Sequence, residues 1–214
     1  MKPPKTIAQR LGRILELLTR QSGRLPEGTP EYGSWLLGRV SESQYLRRIR
    51  IQFILTVVIV VTNLIGIGVV ALFWTVAFPT PSVFSDAPTW LTFGVVPAYV
   101  VIALALGTYW ITRRTVKKLR WAIKEAQPTR VDERNAFLAP WRVAQGVLAF
   151  WVVAMALFTL LYGLANTIFI PIIAVTLGIT GLLVATACYL FTDFTLRPVA
   201  AQATTPLKRT PLMV

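Results

Sequence analysis

Residues 51–78 read IQFILTVVIVVTNLIGIGVVALFWTVAF, a run of 28 without one charged side chain. A hydrocarbon core of about 30 Å is crossed by about 20 residues of helix rising about 1.5 Å each. A run of this length and polarity is therefore a membrane span before it is anything else. Three more blocks follow, at about 90–112, 143–165 and 167–192, and the charges lie between them. A soluble helical bundle would need polar faces on these helices, and they have none. The sequence predicts an all-α, integral membrane four-helix bundle. The third and fourth spans form a tight hairpin about Asn166.

The 22 Lys and Arg residues are distributed on one side. Ten lie in residues 1–50, nine in 113–142 and three in 193–214, and the turns after the first and third blocks carry none. Cytoplasmic loops carry the basic excess in multi-pass proteins. The expectation is a plasma-membrane protein with the N-terminus, the middle loop and the C-terminus in the cytoplasm. The same distribution accounts for a net charge of +13 without nucleic acid, for which no reader motif is present. Trp74, Trp90 and Trp110 fall near predicted span ends, where an interfacial aromatic belt places them.

The chain divides into a cytosolic N-terminal segment (1–48), a four-span membrane domain (49–196) and a short cytosolic tail (197–214). In the first, Ile7, Leu11, Ile14, Leu15 and Leu18 share one face of a helix, with Arg10, Arg13 and Arg20 largely off it. A cytosolic N-terminal amphipathic helix over 6–21, lying on the membrane surface or docked on a partner, is the expectation. A Pro/Gly-rich connector follows. Ser41 and Gln44 then make a capping-box pattern, from which a helix would run through Arg47, Arg48 and Arg50 into the first span.

Several motifs are weighed against their surroundings. Gly66-Ile-Gly68-Val-Val-Ala71 matches the dinucleotide pattern G-x-G-x-x-A, and Asp86 lies 20 residues beyond Gly66. A real fingerprint needs a strand, a turn and a helix, whereas this one sits inside a charge-free span. Its glycines serve close helix contact instead. The pairs Gly94/Ala98, Ala103/Gly107, Ala174/Gly178 and Gly181/Ala185 place small residues one helical turn apart, as packed membrane helices do. Asn63 and Asn166 are the most polar side chains in or at the blocks, and both are candidate helix-packing polar residues. Arg113, Arg114, Lys117, Lys118 and Arg120 form a juxtamembrane cluster, a candidate contact for anionic lipid headgroups worth about 1 kcal/mol per residue. Tyr109/Tyr189, Thr112/Thr192 and Thr115/Thr195 align at a constant offset of 80, which hints at a duplicated hairpin.

The single cysteine, Cys188, and the lack of histidine leave no set of residues for a haem, zinc or phosphorelay site. No catalytic constellation or P-loop is present, so neither an enzymatic activity nor a cofactor is expected of this chain. No carboxylate or cation lies at bilayer depth, where coupled transporters place one.

Five segments carry a longer resemblance: RIRIQFILTVVIVVTNLIGIGV, APTWLTFGVVPAYVVIALALGTYWITRRTVKKLRWAI, DERNAFLAPWRVAQGVL, LYGLANTIFIP and YLFTDFTLRPVAAQA. Over roughly residues 10–203 the chain resembles the membrane region of mycobacterial class III adenylyl cyclases. These have six spans, a HAMP relay module and a cyclase domain that converts ATP to cyclic AMP with divalent metals. The resemblance implies a membrane anchor and sensor half of such a cyclase. A related full-length cyclase or a second copy of this chain are the implied partners, besides the bilayer. After Ala203 the sequence reads TTPLKRTPLMV, and the last two spans, the relay and the catalytic residues have no counterpart in it. The expectation is a truncated or split cyclase, inactive by itself. The alternative reading is a small four-span transporter or an accessory membrane subunit.

Overall fold

A computed structural model describes residues 43–78, 82–124 and 128–204. The expected amphipathic helix over 6–21, the connector and Ser41 lie outside these. The described residues are all-α, with no strand among them. Four helices are long and apolar enough to cross a membrane: Gln44–Ala77, Leu91–Lys118, Ala139–Ala165 and Phe169–Ala200.

Helix α1 is Gln44–Leu72 and continues as a π turn over Phe73–Ala77. It does run unbroken through Arg47, Arg48 and Arg50, and Ser43 caps it: the Ser43 hydroxyl accepts from the Leu46 N–H at 3.4 Å. A second π turn, Leu91–Val95, leads into α2, Val96–Lys118. That widened turn lies just before Pro97, whose ring clashes with the carbonyl four residues back and whose missing N–H breaks the α pattern. Two short helices follow, α3 (Arg120–Lys124) and α4 (Arg130–Phe137). Thr129 and Asp132 close a reciprocal capping box at the start of α4, which satisfies two otherwise orphan donors. Helices α5 (Ala139–Ala165) and α6 (Phe169–Thr204) complete the chain. Pro140 and Pro171 sit in their first turns, where no N–H is needed.

The chain forms two compact units. One comprises residues 55–114 and 140–191 and holds most of the apolar length of the four spans. Ile59, Val70, Trp74, Val143, Val147, Phe158, Tyr162, Phe169, Ile173 and Val184 form its core. Its outward side chains are equally apolar, among them Leu64, Ile65, Val101, Leu106, Leu160, Leu182 and Leu190. A water-soluble unit rarely exposes so continuous an apolar surface, so its solvent is lipid.

The other unit comprises residues up to 54, 115–139 and from 192. Its described part buries Ile51, Leu119, Trp121, Ile123, Leu196 and Val199. Arg47 is fully buried there and donates from Nη1 to the Ile123 carbonyl at 2.8 Å. The sequence suggests no such role, because Arg47 reads simply as one of three juxtamembrane cations. Asp193 and Arg197 pair at 3.4 Å across one turn of α6. That helix runs on through Pro198 to Thr204, past the tail boundary at 197.

Candidate functional site

The helices of the bundle unit meet at Trp151, in the middle of α5. Its indole Nε1 donates to Asn63 Oδ1 on α1 at 2.9 Å. Asn63 Nδ2 in turn donates to the Ile59 carbonyl at 2.8 Å, so the amide uses both ends. Two glycines flank the same indole. A Cβ on Gly66 of α1 would collide with Val184 Cγ2 and come within 3.0 Å of Trp151; one on Gly181 of α6 would meet Trp151 Cβ at 2.8 Å. Gly66 thus serves close helix contact, while Gly68 has nothing within 4 Å of the equivalent position and faces outward. Among the small-residue pairs, Gly107 packs on Phe150, Gly178 on Met155 and Gly181 on Trp151, whereas Gly94 is open.

Several hydroxyls and indoles are paired around this junction, although those of Thr108 and Thr180 are buried without a partner among the described residues. Trp74 is buried and donates to Thr176 Oγ1 at 3.1 Å, so it belongs to the core and not to the interfacial belt; its donor has a partner inside the bundle and gains nothing from the interface. Trp90 and Trp110 are exposed, as a belt requires. Tyr99 donates to the Phe150 carbonyl at 2.8 Å. Thr92 and Tyr162 share a hydrogen bond of 3.0 Å, and Thr62 bonds Cys188 Sγ at 2.8 Å. Within lipid, each such pairing removes a group whose desolvation would otherwise cost several kcal/mol.

Asn166 differs from the expectation. It is exposed in the turn between α5 and α6, and its Oδ1 accepts from the Ile168 N–H at 3.1 Å. It shapes the hairpin, because the short turn offers its amide a backbone donor two residues on. Asp86 is likewise local: its carboxylate accepts from the Ser82 N–H at 2.9 Å and from the Ser85 hydroxyl at 2.9 Å.

Of the basic cluster, Arg113 donates to the Tyr109 hydroxyl at 2.9 Å and stacks on that ring at 5.7 Å. Arg114 lies 5.2 Å from the Trp110 ring. These are i, i+4 pairs on α2 with exposed rings, the amphipathic dress of a membrane boundary. In the other unit, Lys117 and Arg120 are exposed and Lys118 is half-buried.

One concave feature of the bundle unit is a partly open cavity of about 230 Å³. Asn63 and Trp74 of the first span, Tyr99 and Thr108 of α2, and Phe150 and Trp151 of α5 contribute to its wall, and no charged side chain lines it. Thr108 is 7% exposed, and its hydroxyl has no hydrogen-bond partner among the described residues. Tyr99, Thr108 and Trp151 carry no local signature that marks them as wall residues of a common cavity. Among the described residues no group of three or more His, Cys, Asp or Glu is placed to hold a metal.

The chain is similar to longer mycobacterial proteins. The uncharacterized protein MT1359 of Mycobacterium tuberculosis (strain CDC 1551) is 63% identical over 203 residues, which is 95% of this chain and 37% of the relative. The uncharacterized proteins Rv1319c and Rv1320c of Mycobacterium tuberculosis (strain H37Rv) are 58% identical over 204 residues and 55% over 203, covering 95% of this chain and 38% and 36% of the relatives. The chain therefore spans little more than a third of the length of the curated relatives it matches. No family model and no solved structure matches it.

Proposed function

We propose that this chain is the membrane anchor and sensing half of a class III adenylyl cyclase system, with no cyclase activity of its own. The observation that carries the reading is a lengthwise one. Nearly the whole chain, four spans included, matches little more than a third of each longer relative. A membrane block beside a larger remainder is compatible with a receptor region and its output. The output is assigned to cyclic AMP by the segment resemblance set out above. In this reading the termini and the middle loop face the cytoplasm of the cell membrane, where the basic residues of 113–142 meet anionic headgroups. The bundle associates with a related intact cyclase or with a second copy of itself.

Cyclase chemistry needs carboxylates that hold divalent ions on the ATP phosphates. The role of this chain is instead to bias a partner's output through packed helices, a coupling that holds only if the partner has two states with different contacts to it. Co-expression with an intact six-span cyclase, in a host lacking its own, tests the proposal. The chain alone is expected to leave cyclic AMP at background. With the cyclase present, it is expected to change cyclic AMP at least twofold and to co-purify in mild detergent. Cyclic AMP produced by this chain alone contradicts the first half; unchanged output without co-purification contradicts the second.

A further inference from the structure

We propose that the cavity bounded by the first span, α2 and α5 is a binding site for a small uncharged molecule, chiefly hydrocarbon, whose single hydroxyl or carbonyl pairs with Thr108. The inference stands on the cavity alone and holds whichever output the membrane region serves.

Size sets the first limit. An engineered cavity of about 150 Å³ lined by aliphatic and aromatic residues stays dry and takes up benzene, whereas drug-sized ligands occupy about 300–1,000 Å³. A volume of about 230 Å³ lies between, and suits one substituted ring or a short chain. Charge sets the second. With no charged side chain on the wall, an ionised ligand would lose its hydration and gain no counter-ion, at a cost of several kcal/mol. The occupant is therefore neutral.

The polar atoms set the third limit. Asn63 is engaged at both ends of its amide, by Trp151 and by the Ile59 carbonyl. The Tyr99 hydroxyl donates to Phe150, and the Trp74 indole to Thr176. A buried water needs two to four polar partners, and these groups are already committed. The Thr108 hydroxyl is not. As placed, its oxygen is closed off by its surroundings; threonine in a helix populates two χ1 wells, and a turn about χ1 is what presents the hydroxyl to a single polar group. An apolar site with one uncommitted hydroxyl matches a ligand with one polar group.

The test uses the full chain purified in mild detergent and 4-bromobenzyl alcohol as probe, read by heavy-atom quenching of tryptophan emission, since Trp74 and Trp151 line the cavity. Saturable quenching is expected. It should weaken about tenfold in Thr108→Val, which keeps the shape and removes the hydroxyl, the loss of one net hydrogen bond. 4-Bromotoluene should bind about tenfold more weakly than the alcohol to the wild type and equally to Thr108→Val. Ala103→Leu, which fills the cavity, should abolish saturation, and ionised 4-bromobenzoate should show none with any variant. Quenching that rises linearly and identically in the wild type and Ala103→Leu would mean partition into detergent and would overturn the proposal. Equal binding of the alcohol to Thr108→Val and the wild type would overturn it too, since an acyl-chain tip of a surrounding lipid would fill the space without using that hydroxyl. Should Ala103→Leu fail to fold, the near-isosteric Thr108→Val comparison decides by itself.

Discussion

Trp151→Ala is expected to cost about 3–5 kcal/mol of bundle stability, the range for truncating a large buried aromatic. Three losses coincide at this position. The indole is 8% exposed and fills the space between Gly66 on α1 and Gly181 on α6. Removing it leaves a void that two glycines cannot close, because neither carries a side chain to relax into it. It also deprives Asn63 Oδ1 of its donor at 2.9 Å, leaving an amide oxygen unpaired inside an apolar unit. Trp151→Phe separates the terms. It keeps most of the ring and loses the hydrogen bond, and such bonds between membrane helices average about 0.6 kcal/mol, with a maximum near 1.7. Unfolding in mixed micelles of dodecyl maltoside and SDS measures both. Equal midpoints for Trp151→Ala and the wild type would remove Trp151 from the centre of the packing.

The glycines give the second large effect, and its sign depends on which glycine is changed. At Gly181 a Cβ would stand 2.8 Å from Trp151 Cβ. That atom is bonded to the α5 backbone and cannot swing aside, so Gly181→Ala pushes two helices apart. Gly66→Ala meets the stiff, β-branched Val184 as well as the indole. Overpacking of this kind costs about 1–3 kcal/mol. Gly68→Ala, two residues from Gly66, meets nothing within 4 Å. Alanine exceeds glycine in helix propensity by about 1 kcal/mol, so Gly68→Ala is expected to be neutral or stabilising. The same micelle titration reads all three. A ranking in which Gly68→Ala is the most damaging would contradict the packing described.

The membrane spans were legible because a bilayer demands a quantity that a sequence displays directly: length without charge. Helix ends were less so. The helices of the second and fourth spans, α2 and α6, run on to Lys118 and Thr204, since lysine, arginine and alanine continue a helix well after hydropathy has fallen. Gly66 and Gly181 were readable as close-contact positions, yet the motif that picked out Gly66 also picked out Gly68, because a spacing of two cannot say which glycine faces a neighbour. Asn63 stood out as a polar residue in an apolar run; its partner did not, for Trp151 lies 88 residues away among other aromatics. Trp74 was misplaced for the same reason: its bond to Thr176 crosses 102 residues, and a position near a span end says nothing of a contact at that separation. The cavity left no trace in the sequence, since a void is what the packed helices fail to fill and no single residue encodes it. Thr108 resembles any threonine of the spans until its neighbours are placed.

Side-specific thiol labelling in intact cells tests the four-span, one-sided arrangement most directly. The single native cysteine, Cys188, is fully buried and supplies a silent background. Thr167 is exposed in the turn after the third span, Thr89 is exposed in the short helical stretch ahead of the second, and Gln127 falls among the basic residues of 113–142 in the sequence. Cysteines introduced at Thr89 and Thr167 should react with a membrane-impermeant maleimide added outside, and one at Gln127 only after the membrane is opened. Labelling at Gln127 in intact cells, with Thr89 and Thr167 protected, would contradict the arrangement.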